Sequence, residues 1–136
     1  MKYSRLSRNE PASCYAYVLW WITDAPQLSE KVREIIANGQ NRIYWSAASS
    51  WEIAIKYALG RLTLPEAAED FLLAELAKNR IESLPITDLH ALRAGQLPHH
   101  HRDPFDRMLI AQAQIESFAL LSNDPKCGLY ELAMIW

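Results

Sequence analysis

The sequence predicts an α/β protein, a three-layer α/β/α sandwich around a central parallel sheet. Two observations carry that expectation. From about residue 17 onward, segments of helical period alternate with short segments rich in β-branched and aromatic residues. Strands separated by helices pair in parallel and bury both faces under those helices. The chain has 136 residues, half of them hydrophobic, which fits one domain spanning 1–136 with a real core. No linker, repeat or low-complexity tract divides it.

The elements follow in order. "YVLWWITDAP" is an apolar run ended by Asp24 and Pro26 and reads as a short helix. "LSEKVREIIANGQ" is a short amphipathic helix with Ser29 as its cap, Val32, Ile35 and Ile36 on its apolar face, and Gly39 just past its end. "RIYWSA" is a strand. "SSWEIAIKYALGRL" is a helix that starts near Ser49 or Ser50 and stops at Gly60. "LPEAAEDFLLAELAKN" opens with Pro65 near its first turn and carries Phe71, Leu72 and Leu76 at helical spacing. "IESLPIT" is strand-like, "DLHALRAGQL" a short helix, and "PFDRMLIAQAQIES" a strong helix. "FALLSND" and "LAMIW" are the last strands.

Composition excludes several classes. The formal net charge is −2, so contact with nucleic acid has to come from a local patch. Cys14 and Cys127 form neither a disulfide framework nor a CxxC motif, which fits a reducing cytoplasm. "MKYSRLSRNEPASC" lacks a signal-peptide core, and no stretch reaches the roughly 18 apolar residues of a membrane helix. The four glycines make no GxGxxG and no P-loop, which argues against nucleotide chemistry. His99, His100 and His101 are consecutive and do not converge well on one zinc ion, so they read as a loop before a helix. Trp20, Trp21 and Trp51 are expected in the core or facing a partner, and apolar residues within 17–36 in an oligomer surface.

Ligands of such sheets sit beyond the carboxyl ends of the strands. Ser46, Glu52, Asp124 and the helix start at Asp103 and Asp106 all fall there. Each acidic residue has an ordinary account. Asp103 is a favoured N-cap before Pro104, Glu52 stands four residues before Lys56, and Asp124 is a turn former before Pro125. Yet one cap is enough for a helix, and Glu52 is surrounded by Trp51, Ile53, Ala54 and Ile55. Together Glu52, Asp106 and Asp124 place like charges at one sheet edge, which repel unless a cation sits among them. Hard divalent cations take such oxygen ligands together with a substrate phosphate. The residues therefore point to a metal-dependent phosphodiesterase or nuclease.

From about Val18 to Trp136 the sequence resembles the PIN-domain ribonucleases, specifically the VapC-type toxins of bacterial toxin–antitoxin pairs. "SAASSWEIAIKYALGRLTLP" is similar to the family's S-x-x-S-x-W-E-I-x-x-K block. "LPHHHRDPFDRMLIAQA" is similar to its HRDPFDR-x-L-I-A-Q-A block, and "LLSNDP" to the block with a late Ser/Thr and Asp. The resemblance implies a parallel-sheet fold and RNA cleavage dependent on Mg²⁺ or Mn²⁺. It places Glu52, Asp106 and Asp124 at the metal, Ser122 as an assisting hydroxyl, and Arg102 and Arg107 on RNA phosphates or on a solvated face. It also implies a small antitoxin whose tail blocks the acidic site, and a homodimer or a larger toxin–antitoxin complex.

The first 16 residues depart from that pattern. The family opens with a strand ending in Asp-Thr-His, and here Cys14, Tyr15 and Ala16 take those places. The "MKY" start fits, but "SRLSRNEPAS" is a poor strand and contains Pro11. Three explanations stand. A shifted reading frame scrambled residues 4 to about 16; the chain is a degenerate toxin that only binds an antitoxin or regulates its operon; or Glu10 rescues the site. Cysteine is a soft ligand and does not replace aspartate for Mg²⁺. A response-regulator-like domain needs an acidic pair after the first strand, and none is present.

Overall fold

The structure, a computed structural model, describes residues 2–5, 28–122 and 124–136. Five strands form one sheet in these residues. They are β1 (Lys2–Arg5), β2 (Arg42–Ser46), β3 (Ile81–Leu84), β4 (Ala119–Leu121) and β5 (Met134–Ile135), in the order β3-β2-β1-β4-β5. The helices are α1 (Glu30–Ala37), α2 (Ala47–Ala58), α3 (Ala68–Lys78), α4 (Asp88–Gln96) and α5 (Pro104–Glu116). The expected helix over 17–26, with Trp20 and Trp21, lies outside the described residues.

The fold is α/β, and parallel pairing holds for β2 with β3 and for β4 with β5. The sheet is nevertheless mixed, because β1 runs antiparallel to both β2 and β4. Helical crossovers enforce parallel pairing only between the strands they connect. The link from β1 to β2 covers residues 6–41, long enough to return the chain in either sense, so the alternation of elements leaves the direction of β1 open.

Two of the expected helix starts shift, those of α2 and α3, and cap chemistry accounts for the first. Helix α1 starts as read, with Ser29 Oγ accepting the Val32 N–H at 3.1 Å, and it ends with Asn38 as an extended cap, so that Gly39 lies just past its end. Helix α2 starts earlier than Ser49, because Ser46 Oγ accepts the Ala48 N–H at 3.1 Å and caps it from the last residue of β2. It closes as expected at Gly60, whose φ of 70° is a left-handed turn that glycine adopts without strain. There the amides of Gly60 and Arg61 bond back to Tyr57 and Lys56 in a Schellman arrangement. Helix α3 begins at Ala68, three residues after Pro65, with no side-chain cap.

The alternating residues of the sheet separate two cores. Ile43, Trp45 and Ile81 pack with Ile53 of α2 and with Leu72 and Leu76 of α3. Tyr44, Leu84 and Leu120 pack with Ala94 of α4 and with Leu109, Ile110, Ala111 and Ala113 of α5. Leu28, Val32 and Ile36 join Leu121 in a smaller cluster. In the described part of the 17–36 stretch, Leu28, Val32 and Ile36 are buried and Ile35 is half-buried. Among the described residues the exposed large apolar side chains lie elsewhere and include Trp51, Leu59, Leu89, Leu92 and Leu129.

Helix α5 also carries a fully buried amide. Gln112 Oε1 accepts from Ser46 Oγ at 2.5 Å, and its Nε2 donates to the Pro85 carbonyl at 3.2 Å and faces His90 Nδ1 at 3.4 Å. His90 Nδ1 accepts the Thr87 N–H at 3.1 Å, so the ring hydrogen sits on Nε2, 2.8 Å from Glu116. This network ties the end of β2 to α4 and α5. Gln112→Leu leaves the Ser46 hydroxyl and the Pro85 carbonyl without that partner. We expect a loss of about 2–4 kcal/mol, read as a lower urea midpoint at unchanged slope.

Candidate active site

The site is built where α2, the start of α5 and the turn after β4 come together. Asp103 caps α5, its Oδ1 accepting the N–H groups of Phe105 at 2.8 Å and Asp106 at 3.2 Å. Pro104 takes the first helical position, where its missing N–H costs nothing. Asp106 is thereby fixed on the first turn. Burial pushes its carboxyl up to about 6, and the charges of Asp103, Glu52 and Asp124 push the same way against His101.

Glu52 is buried on α2 and held by Lys56 Nζ at 2.8 Å, one turn along the helix. The helical ion pair and the partly buried carboxylate are thus one feature. Beside it, exposed Trp51 meets Phe105 of α5 edge to face, with ring centroids 5.3 Å apart.

Asp124 follows β4 and caps a 3₁₀ turn over Pro125–Leu129. Its Oδ1 accepts the Lys126 N–H at 2.9 Å, and its Oδ2 lies 2.7 Å from His101 Nε2. Burial raises its pKa, but the His101 and Lys126 hydrogen bonds and charges outweigh burial and hold the carboxyl below its ordinary value. Ser122 is buried, and its Oγ accepts the Asp124 N–H at 3.1 Å, so it shapes the turn that presents the carboxylate.

The two arginines differ. Arg102 is exposed on the loop before the helix. Arg107 donates through its terminal nitrogens to the carbonyls of Ala94 (2.8 Å), Leu97 (2.9 Å), Pro98 (2.9 Å) and His101 (3.4 Å). Instead of reaching outward to phosphate, it ties the end of α4 and the histidine loop to α5.

His101 is the residue that sequence reasoning missed. His99 and His100 are exposed, as a loop predicts, but His101 is buried. Its ring stacks on Tyr130 at 5.5 Å, and its Nδ1 lies 3.2 Å from the Tyr130 hydroxyl. Nothing in three consecutive histidines marks which one turns inward. Cys127 was also passed over as a site residue, although "DPKC" repeats the Asp-Pro helix-start signal of "DPFD" and so puts Cys127 one 3₁₀ turn after Asp124. Burial, with the charges of Asp124 and Asp106, pushes its thiol up to about 11 against a hydrogen bond from Ser122.

Glu52, Asp106 and Asp124 offer only carboxylate oxygens, the donor set that suits a hard divalent cation. Asp106 feels the charges of both of the others, and a cation relieves that repulsion. Cys14 and Glu10 lie outside the described residues.

Comparisons with known proteins bear on this arrangement. Ribonuclease VapC16 of Mycobacterium tuberculosis is 35% identical over 60 residues, a stretch covering 44% of this chain and 43% of that relative. The match thus spans less than half of either protein. A family model described as the PIN domain matches residues 16–133, nearly the whole chain and every site residue described above. The chain belongs to the PIN-domain family.

Proposed function

We propose that this chain is a metal-dependent endoribonuclease toxin of a toxin–antitoxin pair that hydrolyses RNA phosphodiester bonds. One observation carries the reading. Two carboxylates from separate elements, Glu52 and Asp124, come close enough to Asp106 at the edge of the sheet for their charges to act on its ionisation. Membership of the PIN-domain family and likeness to a protein named as a ribonuclease support it. The two cores on either side of the sheet fit a three-layer α/β/α sandwich forming one domain over 1–136.

In this reading Glu52, Asp106 and Asp124 hold Mg²⁺ or Mn²⁺. When bound, such an ion makes water a better nucleophile and neutralises charge on the phosphodiester. The chain's own residues prepare the place. Lys56 anchors Glu52, the Asp103 cap sets Asp106, and His101, Lys126 and Ser122 fix Asp124. Exposed Arg102 is the candidate contact for RNA phosphate, while Arg107 acts by positioning the loop. The partners are RNA, a small antitoxin covering the acidic edge, and a second copy of the chain. Among the described residues no helix is long and apolar enough to cross a membrane, in keeping with a cytoplasmic protein.

A second reading rests on Cys14, which stands where the family resemblance places a metal-binding aspartate. On that reading the fold is catalytically silent and serves to bind an antitoxin or regulate an operon.

Cleavage of structured RNA separates the two. The nuclease reading expects cleavage with Mg²⁺ or Mn²⁺, none in chelator, and a loss of roughly 100-fold or more in Asp106→Asn, since even an outer partner of a metal ligand is worth 10- to 100-fold. A native chain inert with every cation, together with activity in Cys14→Asp, supports the silent reading instead.

Stability offers a check without RNA. The folded pKa of Asp106, about 6, lies above its unfolded value near 3.9. Between those values the unfolded chain releases a proton that the fold retains, so this residue makes the metal-free protein less stable as pH rises through that window. Asp106→Asn is expected to raise the metal-free melting temperature by a few degrees at pH 7.5 and to change it little at pH 4, where the folded carboxyl is neutral and the unfolded one only about half ionised. Thermal melts in chelator at the two pH values test it.

A further inference from the structure

A group of ligating atoms of a different kind meets the three-carboxylate set at Asp124. A ring nitrogen of His101, a carboxylate oxygen of Asp124 and Cys127 Sγ lie within 4.8 Å of one another. Nitrogen, oxygen and sulfur together are the donor set of a borderline-soft cation and a poor one for Mg²⁺. We infer that His101, Asp124 and Cys127 form a second cation site, selective for Zn²⁺ or a similar transition-metal ion, at the margin of the acidic edge.

The surroundings favour it. In a tetrahedral zinc site the ligand atoms lie about 3.2–3.8 Å apart, so the His101–Asp124 pair, at 2.7 Å, has to open a little and the sulfur, within 4.8 Å of both, has to draw in. Asp124 can make that adjustment, since its side chain is 38% exposed while His101 is 5% exposed. The other ring nitrogen of His101 is held by the Tyr130 hydroxyl at 3.2 Å, and the ring stacks on Tyr130. Ligating histidines are commonly oriented by such a partner. Asp124 Oδ1 is held by the Lys126 amide, and Ser122 Oγ stands 3.8 Å from Cys127 Sγ. Three protein ligands leave one position for water.

Binding breaks the His101–Asp124 hydrogen bond and moves the thiol proton of Cys127 to solvent as the sulfur–metal bond forms. The negative charges of Asp124 and Asp106 that disfavour a bare thiolate are the ones that attract the dication. The site shares Asp124 with the proposed Mg²⁺ site, so Zn²⁺ is expected to suppress cleavage. That consequence rests on the nuclease reading; the binding itself does not.

Cobalt(II) is the probe, because a thiolate ligand gives it a near-ultraviolet charge-transfer band. The full-length chain titrated with Co²⁺ is expected to develop that band at one equivalent and to lose it on adding Zn²⁺. The band should persist in Cys14→Ser and in the double variant His99→Ala/His100→Ala, and vanish in Cys127→Ser. Zn²⁺ affinity measured against a chromophoric chelator should fall in His101→Ala by at least the roughly 10- to 100-fold that loss of an outer partner costs. Glu52→Gln should leave the band in place, which separates this site from the carboxylate set. A native chain with no thiolate band, or a band that follows Cys14 instead of Cys127, overturns the inference whatever the outcome with RNA.

Discussion

A polar side chain buried in the middle of a helix cannot go without a partner, and α5 carries one in Gln112. Leu109, Ile110, Ala111, Gln112 and Ala113 are all buried, so α5 lies against the sheet with little freedom to rotate or slide. Its polar residues then fix their neighbours. Asp103 defines where the helix starts, Arg107 gathers four carbonyls from α4 and the histidine loop, and Gln112 reaches Ser46 at the end of β2. Glu116, near the other end, holds the His90 ring. The acidic edge is assembled by this one helix as much as by the sheet.

The electrostatics follow from that rigidity. Asp106 sits half-buried on the first turn of α5 near other carboxylates and is held closer to its neutral form. Asp124, donated to by His101 and by the Lys126 amide, is held in its charged form. Two acidic residues of one cluster are thus driven in opposite directions by what surrounds them. Such separation is common where a fold keeps charge for a ligand. In the proposed sites, a cation that takes oxygen ligands relieves the repulsion on Asp106 and leaves the Lys126 hydrogen bond to Asp124 Oδ1 in place, and one that takes nitrogen and sulfur competes with it for Asp124.

Much of this was legible in the residues. The Asp103–Pro104 start of α5, the Ser29 cap of α1 and the Gly60 stop of α2 are local signals, and local signals survive folding. Glu52 stood out as a carboxylate among apolar neighbours, and it is buried. What stayed hidden depended on distant contacts. Ser46 was read as the end of a strand, and only the Ala48 amide shows that it also begins α2. Arg107 looked like a phosphate contact because the sequence gives no sign of the carbonyls that turn toward it. The inward turn of His101 is set by Tyr130, 29 residues away. The direction of β1 is a matter of pairing that no alternation of helices and strands encodes.

We propose that the acidic edge serves to hold a hard cation. Mn²⁺ reports its own position, because it broadens the NMR signals of nearby nuclei. Substoichiometric Mn²⁺ added to the ¹⁵N-labelled chain at pH 7.5 is predicted to broaden first the amides around Glu52, Asp103 to Arg107, and Asp124. Mg²⁺ in excess should restore them. Broadening that begins elsewhere, or that spreads evenly over the protein with no response at those residues, contradicts the account.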